Sequence, residues 1–237
     1  MAGLSSRFFS EGYEVPKFML DLNGLSLFRH SLLSFKHYFS SEEFLFIVLD
    51  RLGFYDFVIG EIRELGIESY QIILLDSPTK GQAETVYLGL QEYKGIIDSF
   101  SIFNIDTFRP DFKFPEFSQN VDGYLEVFEG EGDNWSFIKL DNRDSYRVTE
   151  TAEKSPISNL CCTGLYWFKH SAMFFDAFTY YKKNEIFTRG ELYVAPLYNY
   201  LIEKGYYISY NLIKLEDVKF CGTPEEYRSL QRTYDKF

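Results

Sequence analysis

The chain has 237 residues and a formal net charge of −11, with 35 acidic against 24 basic side chains. This length suits one large α/β domain or two small ones and is enough to bury a substantial core. An acidic excess is poorly suited to wrapping a nucleic-acid backbone, and no apolar run approaches the roughly 20 residues of a membrane span. Nucleic acid and membrane are therefore excluded as partners, whereas a small anionic ligand in a local basic pocket stays possible.

The number and spacing of the cysteines and histidines indicate the redox compartment of the protein and whether it holds a zinc site. The three cysteines include the adjacent pair Cys161-Cys162, no Cys-x-x-Cys occurs, and the three histidines are scattered. Adjacent cysteines rarely bond to each other, so the pattern indicates a reducing compartment and argues against a zinc site. Because a charged-then-apolar signal peptide is also absent from the sequence, we expect a cytoplasmic protein.

The first part of the chain predicts alternating strands and helices. Residues 44–49 form a short apolar run typical of a strand buried on both faces. Residues 54–65 have apolar positions at helical spacing and are followed by Gly66, which favours a helix end. Residues 70–75 repeat the strand pattern, so the three segments predict a βαβ unit.

The next two elements continue this alternation. Residues 80–83 open a second helix that runs to about residue 93, and residues 101–105 form an apolar strand that ends on Asp106. In open α/β sheets the ligand lies beyond the carboxyl ends of the strands, so Asp106 is placed for chemistry.

After Pro110 the pattern becomes mixed. Residues 122–128 and 136–140 resemble a β-hairpin, and residues 163–168 form another strand. Helices follow at about 172–182 and 192–204, with a last strand at 206–215. We expect a single domain over 1–237, with a nucleotide-binding half to about residue 110 and an acceptor-binding half from about 111.

The amino-terminal stretch carries phosphate-binding residue types. Gly3, Ser5 and Ser6 precede Arg7, and Lys17 follows ten positions later. Glycine permits close backbone approach, successive N–H groups at a helix start can cradle phosphate oxygens, and Arg and Lys add positive charge. By itself the stretch predicts a triphosphate loop and an ordinary polar terminus about equally.

Further candidates lie on later loops, and each has an ordinary interpretation. Gln82 opens a helix, Asp106 could cap one, and Glu153-Lys154 could be an exposed ion pair of little consequence. Lys17, which follows Pro16, is by itself expected to be a solvated lysine.

Taken together in chain order, these stretches resemble the nucleoside-diphosphate-sugar pyrophosphorylases, nucleotidyltransferases that activate sugar phosphates, including those that supply surface polysaccharides. The stretches are Gly3-Leu4-Ser5-Ser6-Arg7-Phe8 with Pro16-Lys17, Lys80-Gly81-Gln82-Ala83, Asn104-Ile105-Asp106, Glu153-Lys154 with Thr163-Gly164-Leu165-Tyr166, and Gly222-Thr223-Pro224-Glu225. The resemblance implies a Rossmann-like three-layer α/β/α sandwich with a mixed, mostly parallel central sheet, of the nucleotide-diphospho-sugar transferase type. It also implies transfer of a nucleotidyl group from an NTP to a sugar 1-phosphate, with Mg²⁺ as cofactor and pyrophosphate as second product.

The resemblance assigns the residues on the nucleotide side. Arg7 and Lys17 would neutralise the phosphates, and Asp106 would hold Mg²⁺, a cation that prefers carboxylate and phosphate oxygens. The triphosphate loop and the base-recognition segment would comprise Ala2, Gly3, Ser5, Ser6, Gly81 and Gln82.

On the acceptor side, the resemblance implies that Glu153 accepts hydrogen bonds from acceptor hydroxyls and that Lys154 pairs with the acceptor phosphate. Thr163 and Gly164 would complete this part of the site. The partners are then an NTP and a phosphorylated small molecule, and the assembly a monomer or homodimer.

Two positions depart from the family pattern. Members carry an apolar strand directly before the loop, whereas this sequence starts at Met1 within the motif, so we expect the true start to lie upstream. Members also commonly place a second metal-binding Asp two residues before the closing Gly-Thr, where this chain has Phe220. The expected Mg²⁺ would then depend on Asp106, water and phosphate oxygens.

Three alternatives remain open on the sequence. A cytidylyltransferase acting on phosphocholine could use cation–π contacts from Tyr124, Trp135, Trp167 or Tyr193. A glycosyltransferase of related fold would carry an Asp-x-Asp motif, which Asn104-Ile105-Asp106 does not match. A non-catalytic nucleotide-binding relative is the third.

Overall fold

The structure, a computed structural model, describes residues 3, 5–51, 53–95, 97–144 and 146–234. Its α-helices are α1 (Ser6–Ser10), α2 (Leu27–Leu33), α3 (Phe54–Leu65), α4 (Gln82–Glu92), α5 (Ser171–Lys183), α6 (Leu197–Glu203) and α7 (Pro224–Tyr234). Its strands are β1 (Asp21–Leu22), β2 (Leu25–Ser26), β3 (Glu43–Leu49), β4 (Ser69–Leu75), β5 (Phe100–Phe103), β6 (Thr107–Phe108), β7 (Gly123–Glu129), β8 (Ser136–Leu140), β9 (Val148–Glu153), β10 (Leu160–Phe168), β11 (Ile208–Ile213) and β12 (Lys219–Phe220).

The chain forms two compact units that are not consecutive in sequence. Unit 1 comprises Met1–Pro78, Asn104–Lys113 and Glu216–Phe237. Unit 2 comprises Thr79–Phe103 and Phe114–Leu215. Each unit contains part of the motif set.

Unit 1 contains the predicted βαβ segment. Strand β3 pairs in parallel with β4 along their full length, from Glu43 opposite Ser69 to Leu49 opposite Leu75. Helix α3 has the predicted bounds and ends at Gly66, whose φ of 69° satisfies the left-handed cap that glycine adopts readily. The core of this unit is built from aromatic and aliphatic side chains of β3, α2, α3 and the first loops, including Phe18, Phe28, Phe46, Val58 and Ile62.

A short antiparallel ladder joins the carboxyl-terminal segment of unit 1 to the segment that carries Asp106. Strand β12 pairs with β6, with Phe220 opposite Thr107. The Cys221 N–H extends the ladder by donating to the Asp106 carbonyl at 2.7 Å. The Gly-Thr-Pro-Glu motif therefore follows directly after a strand fixed beside Asp106.

Unit 2 is organised around β10, which is buried at all nine positions. The sheet order is β11-β7-β10-β8-β9, with β5 also paired to β10. The β7–β11 pairing is parallel and the other pairings of this sheet are antiparallel. The predicted hairpin of 122–128 with 136–140 is wrong, because β10 lies between β7 and β8. A strand that is apolar on both faces is most stable in the sheet centre, and local spacing does not reveal its neighbours.

Some predicted elements have different bounds in the structure, and some strands were not predicted. The helix expected from 192 begins at Leu197, because Pro196 is its N-cap and Leu192 uses its backbone groups for other contacts. The strand expected over 101–105 ends at Phe103, so Asp106 follows it by three residues. Strand β9 was not predicted, since its sequence Val-Thr-Glu-Thr-Ala-Glu is mostly polar.

The helices of unit 2 cover the sheet with aromatic contacts. Phe174 of α5 is fully buried and contacts Phe168 of β10 and Phe100 of β5 edge to face, at 5.4 and 5.8 Å between ring centroids. Tyr198 of α6 stacks on Phe168 at 4.5 Å. These packed rings fix β10, the strand that carries the candidate acceptor residues Thr163 and Gly164.

The α/β class with a mixed sheet is confirmed. Cys161, Cys162 and Cys221 are all buried free thiols. Within the described part of the chain, none of the helices combines the length and apolar character needed to cross a bilayer.

Candidate active site

In unit 1, the structure brings Lys17 and Asp106 into direct contact although they lie far apart in sequence. The Lys17 ammonium donates a hydrogen bond to Asp106 Oδ2. Both side chains remain partly accessible, at 25% and 21% exposed. Burial raises the pKa of Asp106, but the charge and the hydrogen bond of Lys17 outweigh it, so the net pKa lies below its ordinary value. The carboxylate is therefore ionised at neutral pH and available to a cation.

The amino-terminal loop is held against Lys17. Ser5 has a left-handed backbone (φ 50°), and its hydroxyl accepts a hydrogen bond from the Lys17 N–H at 3.2 Å. Phe8 anchors the following turn: it is 1% exposed and contacts Tyr227 of α7. Three predicted phosphate residues are exposed, namely Gly3 in this loop and Ser6 and Arg7 at the start of α1. Ala2 lies outside the described residues.

Thr223 of the closing Gly-Thr-Pro-Glu motif and Glu226, which follows the motif, form an N-terminal capping box of α7. The Thr223 hydroxyl accepts from the Glu226 N–H at 3.2 Å, and Glu226 Oε2 accepts from the N–H groups of Gly222 and Thr223 at 2.8 and 2.9 Å. Gly222 also lies against the candidate metal ligand, because a Cβ there would be 3.1 Å from Asp106 Oδ2. The motif therefore leaves room for that carboxylate.

The donor set fits a Mg²⁺ ion that takes most of its ligands from substrate and water. Asp106 supplies a hard carboxylate oxygen, whereas Phe220, opposite Thr107 on the neighbouring strand, supplies none. No group of three or more His, Cys, Asp or Glu side chains suited to a metal occurs among the residues that the structure describes. A metal bound mainly by phosphate oxygens and water needs no such cage.

In unit 2, the predicted base-recognition segment requires glycine at position 81. Gly81 has φ 122°, and a Cβ there would be 2.5 Å from the Leu192 carbonyl oxygen. The backbone of Leu192 forms hydrogen bonds with residues on either side of Gly81. Its N–H donates to the Lys80 carbonyl at 2.8 Å, and its carbonyl accepts from the Ala83 N–H at 3.0 Å. Gln82 is the first residue of α4. The loop is thus fixed immediately before the helix.

The predicted acceptor pair Glu153-Lys154 lies at the end of β9. Glu153 faces Ser136 of β8 across the ladder, and the Ser136 hydroxyl donates to its carboxylate. Burial raises the pKa of Glu153, and the nearby charge of Glu191 adds to this, while Ser136, Lys154 and Arg189 oppose it. The Lys154 ammonium donates to the Tyr193 hydroxyl and lies 4.0 Å from a Glu153 oxygen.

Thr163 and Gly164 lie inside the sheet. Thr163 is 2% exposed, and its hydroxyl donates to the Glu126 carboxylate at 3.2 Å. Gly164 has φ 97°, and the β7–β10 register shifts between Cys162 and Tyr166. These two predicted substrate residues therefore lie at the register shift of β10, and the Thr163 hydroxyl is directed toward the Glu126 carboxylate.

Sequence reasoning did not identify the residues that hold Glu153 and Lys154. Ser136 becomes visible only through the β8–β9 register, because it is a lone serine in a polar stretch. The sequence suggested Tyr193 as a cation–π partner for phosphocholine. In the structure the cation at this ring is the Lys154 ammonium, whose nitrogen lies 4.3 Å from the ring centroid. Tyr124 and Trp167 stack on each other at 5.6 Å and are almost fully buried, so their rings are used by the core.

No protein-family model and no curated protein matches the chain. Among solved structures, the nucleoside-diphosphate-sugar pyrophosphorylase from Vibrio cholerae RC9 is 50% identical, with 98% of each chain covered and a TM-score of 0.93. A putative glucose-1-phosphate thymidylyltransferase from Bacillus anthracis is 18% identical, covers 99% of this chain and 93% of its own, and has a TM-score of 0.73. A UDP-glucose pyrophosphorylase complexed with UDP-glucose is 14% identical over 99% and 96%, with a TM-score of 0.76.

The fold is that of the nucleotide-diphospho-sugar transferases, and the two more distant structures support the fold alone. The Vibrio cholerae likeness goes further, because half of all positions are identical over nearly the whole of both chains. The chain belongs to the nucleoside-diphosphate-sugar pyrophosphorylase family, as its motifs indicated, and it is an enzyme of the nucleotidyltransferase class.

Proposed function

We propose that the chain catalyses Mg²⁺-dependent transfer of a nucleotidyl group from an NTP to a sugar 1-phosphate, giving an NDP-sugar and pyrophosphate. An acceptor phosphate oxygen attacks the α-phosphorus, and the bond from that phosphorus to the bridging oxygen of pyrophosphate breaks. The chemistry needs no covalent intermediate on the protein, so positioning and charge neutralisation are the main tasks. Use of the product in surface-polysaccharide synthesis is part of the proposal.

The observation that carries this proposal is the contact between Lys17 and Asp106. One point in unit 1 offers both an ammonium for phosphate oxygens and an ionised carboxylate for a divalent cation. Both groups are reachable from solvent. Binding of a metal–nucleotide complex would exchange this internal ion pair for one cation–carboxylate and one ammonium–phosphate contact.

The remaining roles follow from the same assignment. In unit 1, Arg7 and the backbone N–H groups of Gly3, Ser5 and Ser6 hold the triphosphate and the leaving pyrophosphate. Mg²⁺, when bound to Asp106, would neutralise phosphate charge as a Lewis acid. In unit 2, Gln82 and the backbone at Gly81 contact the base.

For the acceptor, we propose that Lys154 pairs with the phosphate and Glu153 accepts hydrogen bonds from hydroxyls. Glu153 is 5% exposed and already bound by Ser136, which fixes its orientation. Thr163 and Gly164 support this region through the shape of β10. A sugar 1-phosphate supplies both the phosphate and the hydroxyls that such a pair would recognise.

An activity matrix tests the proposal directly. The purified chain is incubated with Mg²⁺, each of the four NTPs or dTTP, and a set of sugar 1-phosphates with phosphocholine as a further acceptor, while pyrophosphate release is measured. We expect turnover with one or a few sugar 1-phosphates. Release with phosphocholine alone would establish the cytidylyltransferase alternative, and binding of NTP without release from any pair would indicate a non-catalytic relative.

We predict that Lys17→Ala lowers kcat for the best substrate pair by about 100-fold, since a preorganised charge at the reacting phosphate is lost. Arg7→Ala is expected to act mainly on the KM for the NTP. The matched control is Lys36→Ala, which removes an exposed lysine paired with Asp111 in the same unit. Turnover unchanged by Lys17→Ala would contradict the proposed role of this residue.

A further inference from the structure

Tyr193 lies at the end of a segment that is tightly fixed in unit 2. The segment starts with a two-residue turn in which Thr188 and Glu191 exchange backbone hydrogen bonds of 3.0 Å. Its central residues Arg189 and Gly190 both have positive φ, as such a turn requires. Leu192, which follows, is bonded to the loop at residues 80–83, and Gly81 is the residue that permits this contact. The position of the Tyr193 backbone is thereby set by that loop.

The Tyr193 phenol is the hydrogen-bond partner of the Lys154 ammonium, and its oxygen accepts that hydrogen bond. Burial, and after it the charge of the nearby Glu191 carboxylate, raises the pKa of the phenol, so the hydroxyl stays protonated at neutral pH. The Lys154 nitrogen also lies 4.3 Å from the ring centroid, a favourable cation–π distance.

Lys154 needs such a partner to keep its ammonium in one place. Its backbone has φ 54° and is held by a hydrogen bond from its N–H to Trp135 O at 2.8 Å. The side chain is 18% exposed, and the nearest carboxylate oxygen, on Glu153, is 4.0 Å away. Without the phenol, a flexible lysine would be drawn toward Glu153, which the proposed reaction requires for the acceptor.

We infer that Tyr193 is a positioning residue that holds the Lys154 ammonium ready for the acceptor phosphate and keeps it apart from Glu153. The inference rests on the proposed function, in which Lys154 binds that phosphate. Since Leu192 joins the same segment to residues 80–83, the proposed base-contacting loop and the acceptor lysine share one rigid support.

The test is Tyr193→Phe, which removes the hydroxyl and retains the ring. With the best substrate pair from the matrix, the KM for the sugar 1-phosphate should rise about 3- to 10-fold, the loss expected for one hydrogen bond. The KM for the NTP and kcat should change less than about twofold. Tyr207→Phe is the matched control, because it removes a tyrosine hydroxyl bonded to Asp144 in the same unit.

A double-mutant cycle with Lys154→Ala shows whether Tyr193 acts through the lysine. In the Lys154→Ala background, Tyr193→Phe should have no further effect on the acceptor KM. An unchanged acceptor KM in the single variant, or the same rise in both backgrounds, overturns the inference. Melting temperatures are measured for each variant, and Tyr193→His replaces Tyr193→Phe if the latter does not fold. Absence of turnover in the unmodified chain would instead reject the proposed function.

Discussion

Folding buries the Glu153 carboxylate, and its titration should therefore make the stability of the protein depend on pH. Its pKa is raised in the folded state, chiefly by burial and further by Glu191. An acid with a raised folded pKa binds more protons when folded, so it favours folding at low pH and loses that contribution as pH rises through its folded pKa. The sensitive range begins at about pH 4, the ordinary value for glutamate.

Glu153→Gln should therefore change how stability depends on pH. The glutamine cannot ionise, so the free energy of unfolding of the variant minus that of the parent should increase as pH rises from about 4 to 7. Urea unfolding at several pH values measures this difference. Glu150→Gln, on the same strand with a 49% exposed side chain, serves as the control and should leave the trend flat. If the difference for Glu153→Gln also stays constant with pH, burial of this carboxylate has little effect on its pKa.

Gly81 gives a second prediction at the scale of a single residue. Alanine there would require φ 122° and would place Cβ 2.5 Å from the Leu192 carbonyl oxygen, so the backbone must move. We expect Gly81→Ala to reduce the free energy of unfolding by about 1–3 kcal/mol and to raise the KM for the NTP. Denaturant unfolding and steady-state kinetics measure the two effects.

Gly60 provides the control for this change. It lies within α3, and an added Cβ would meet nothing within 4 Å. Gly60→Ala is expected to increase stability by about 0.5–1 kcal/mol, since alanine loses less backbone entropy in a helix. Equal effects at the two positions would indicate that the contact between Gly81 and Leu192 is not important.

At the scale of elements, helix α7 links the closing motif to the environment of Asp106. Its first turn is fixed by reciprocal hydrogen bonds between Thr223 and Glu226, and Gly222 before it lies against the Asp106 carboxylate. Burial, and after it the charges of Asp106 and Glu226, raise the pKa of the Cys221 thiol to about 12. This thiol therefore stays protonated. The segment at residues 221–222 packs in a fixed position beside the Asp106 carboxylate.

Removal of the cap should weaken this helix. Thr223→Ala leaves one N–H of the first turn without its side-chain acceptor, and we expect a loss of about 0.5–2 kcal/mol in the free energy of unfolding. Thr233→Ala, near the exposed end of the same helix, is the control and should stay within about 0.5 kcal/mol. Circular dichroism during urea unfolding measures both, and a loss below that of the control would contradict the role of the capping box.

At the scale of the whole molecule, the net charge of −11 opposes the binding of polyanions, so any nucleotide affinity must come from local groups. We predict that a cognate NTP with Mg²⁺ raises the melting temperature by about 5 °C or more at 100-fold excess over its Kd. Differential scanning fluorimetry with each NTP measures this. Inorganic tripolyphosphate is the control, and an equal shift with it would show that the base is not recognised.

The sequence predicted several local elements closely, because their signals are contained in short windows. The helix at 54–65 and the strands near 44–49 and 70–75 agree with α3, β3 and β4 to within a residue. The order of the strands in unit 2 could not be predicted in this way. The residues between β7 and β8 favour a hairpin, but the apolar run of β10 is more stable between them than at an edge.

By itself, the sequence determined the family, because five short motifs in a fixed order carry information that does not depend on packing. The tertiary structure alone decided which charged groups meet. Lys17 and Asp106 are 89 positions apart, and Lys154 and Tyr193 are 39 apart, so no periodicity links either pair. Strand pairing and loop closure bring them together, and those depend on burial summed over a whole unit, which a local pattern does not contain.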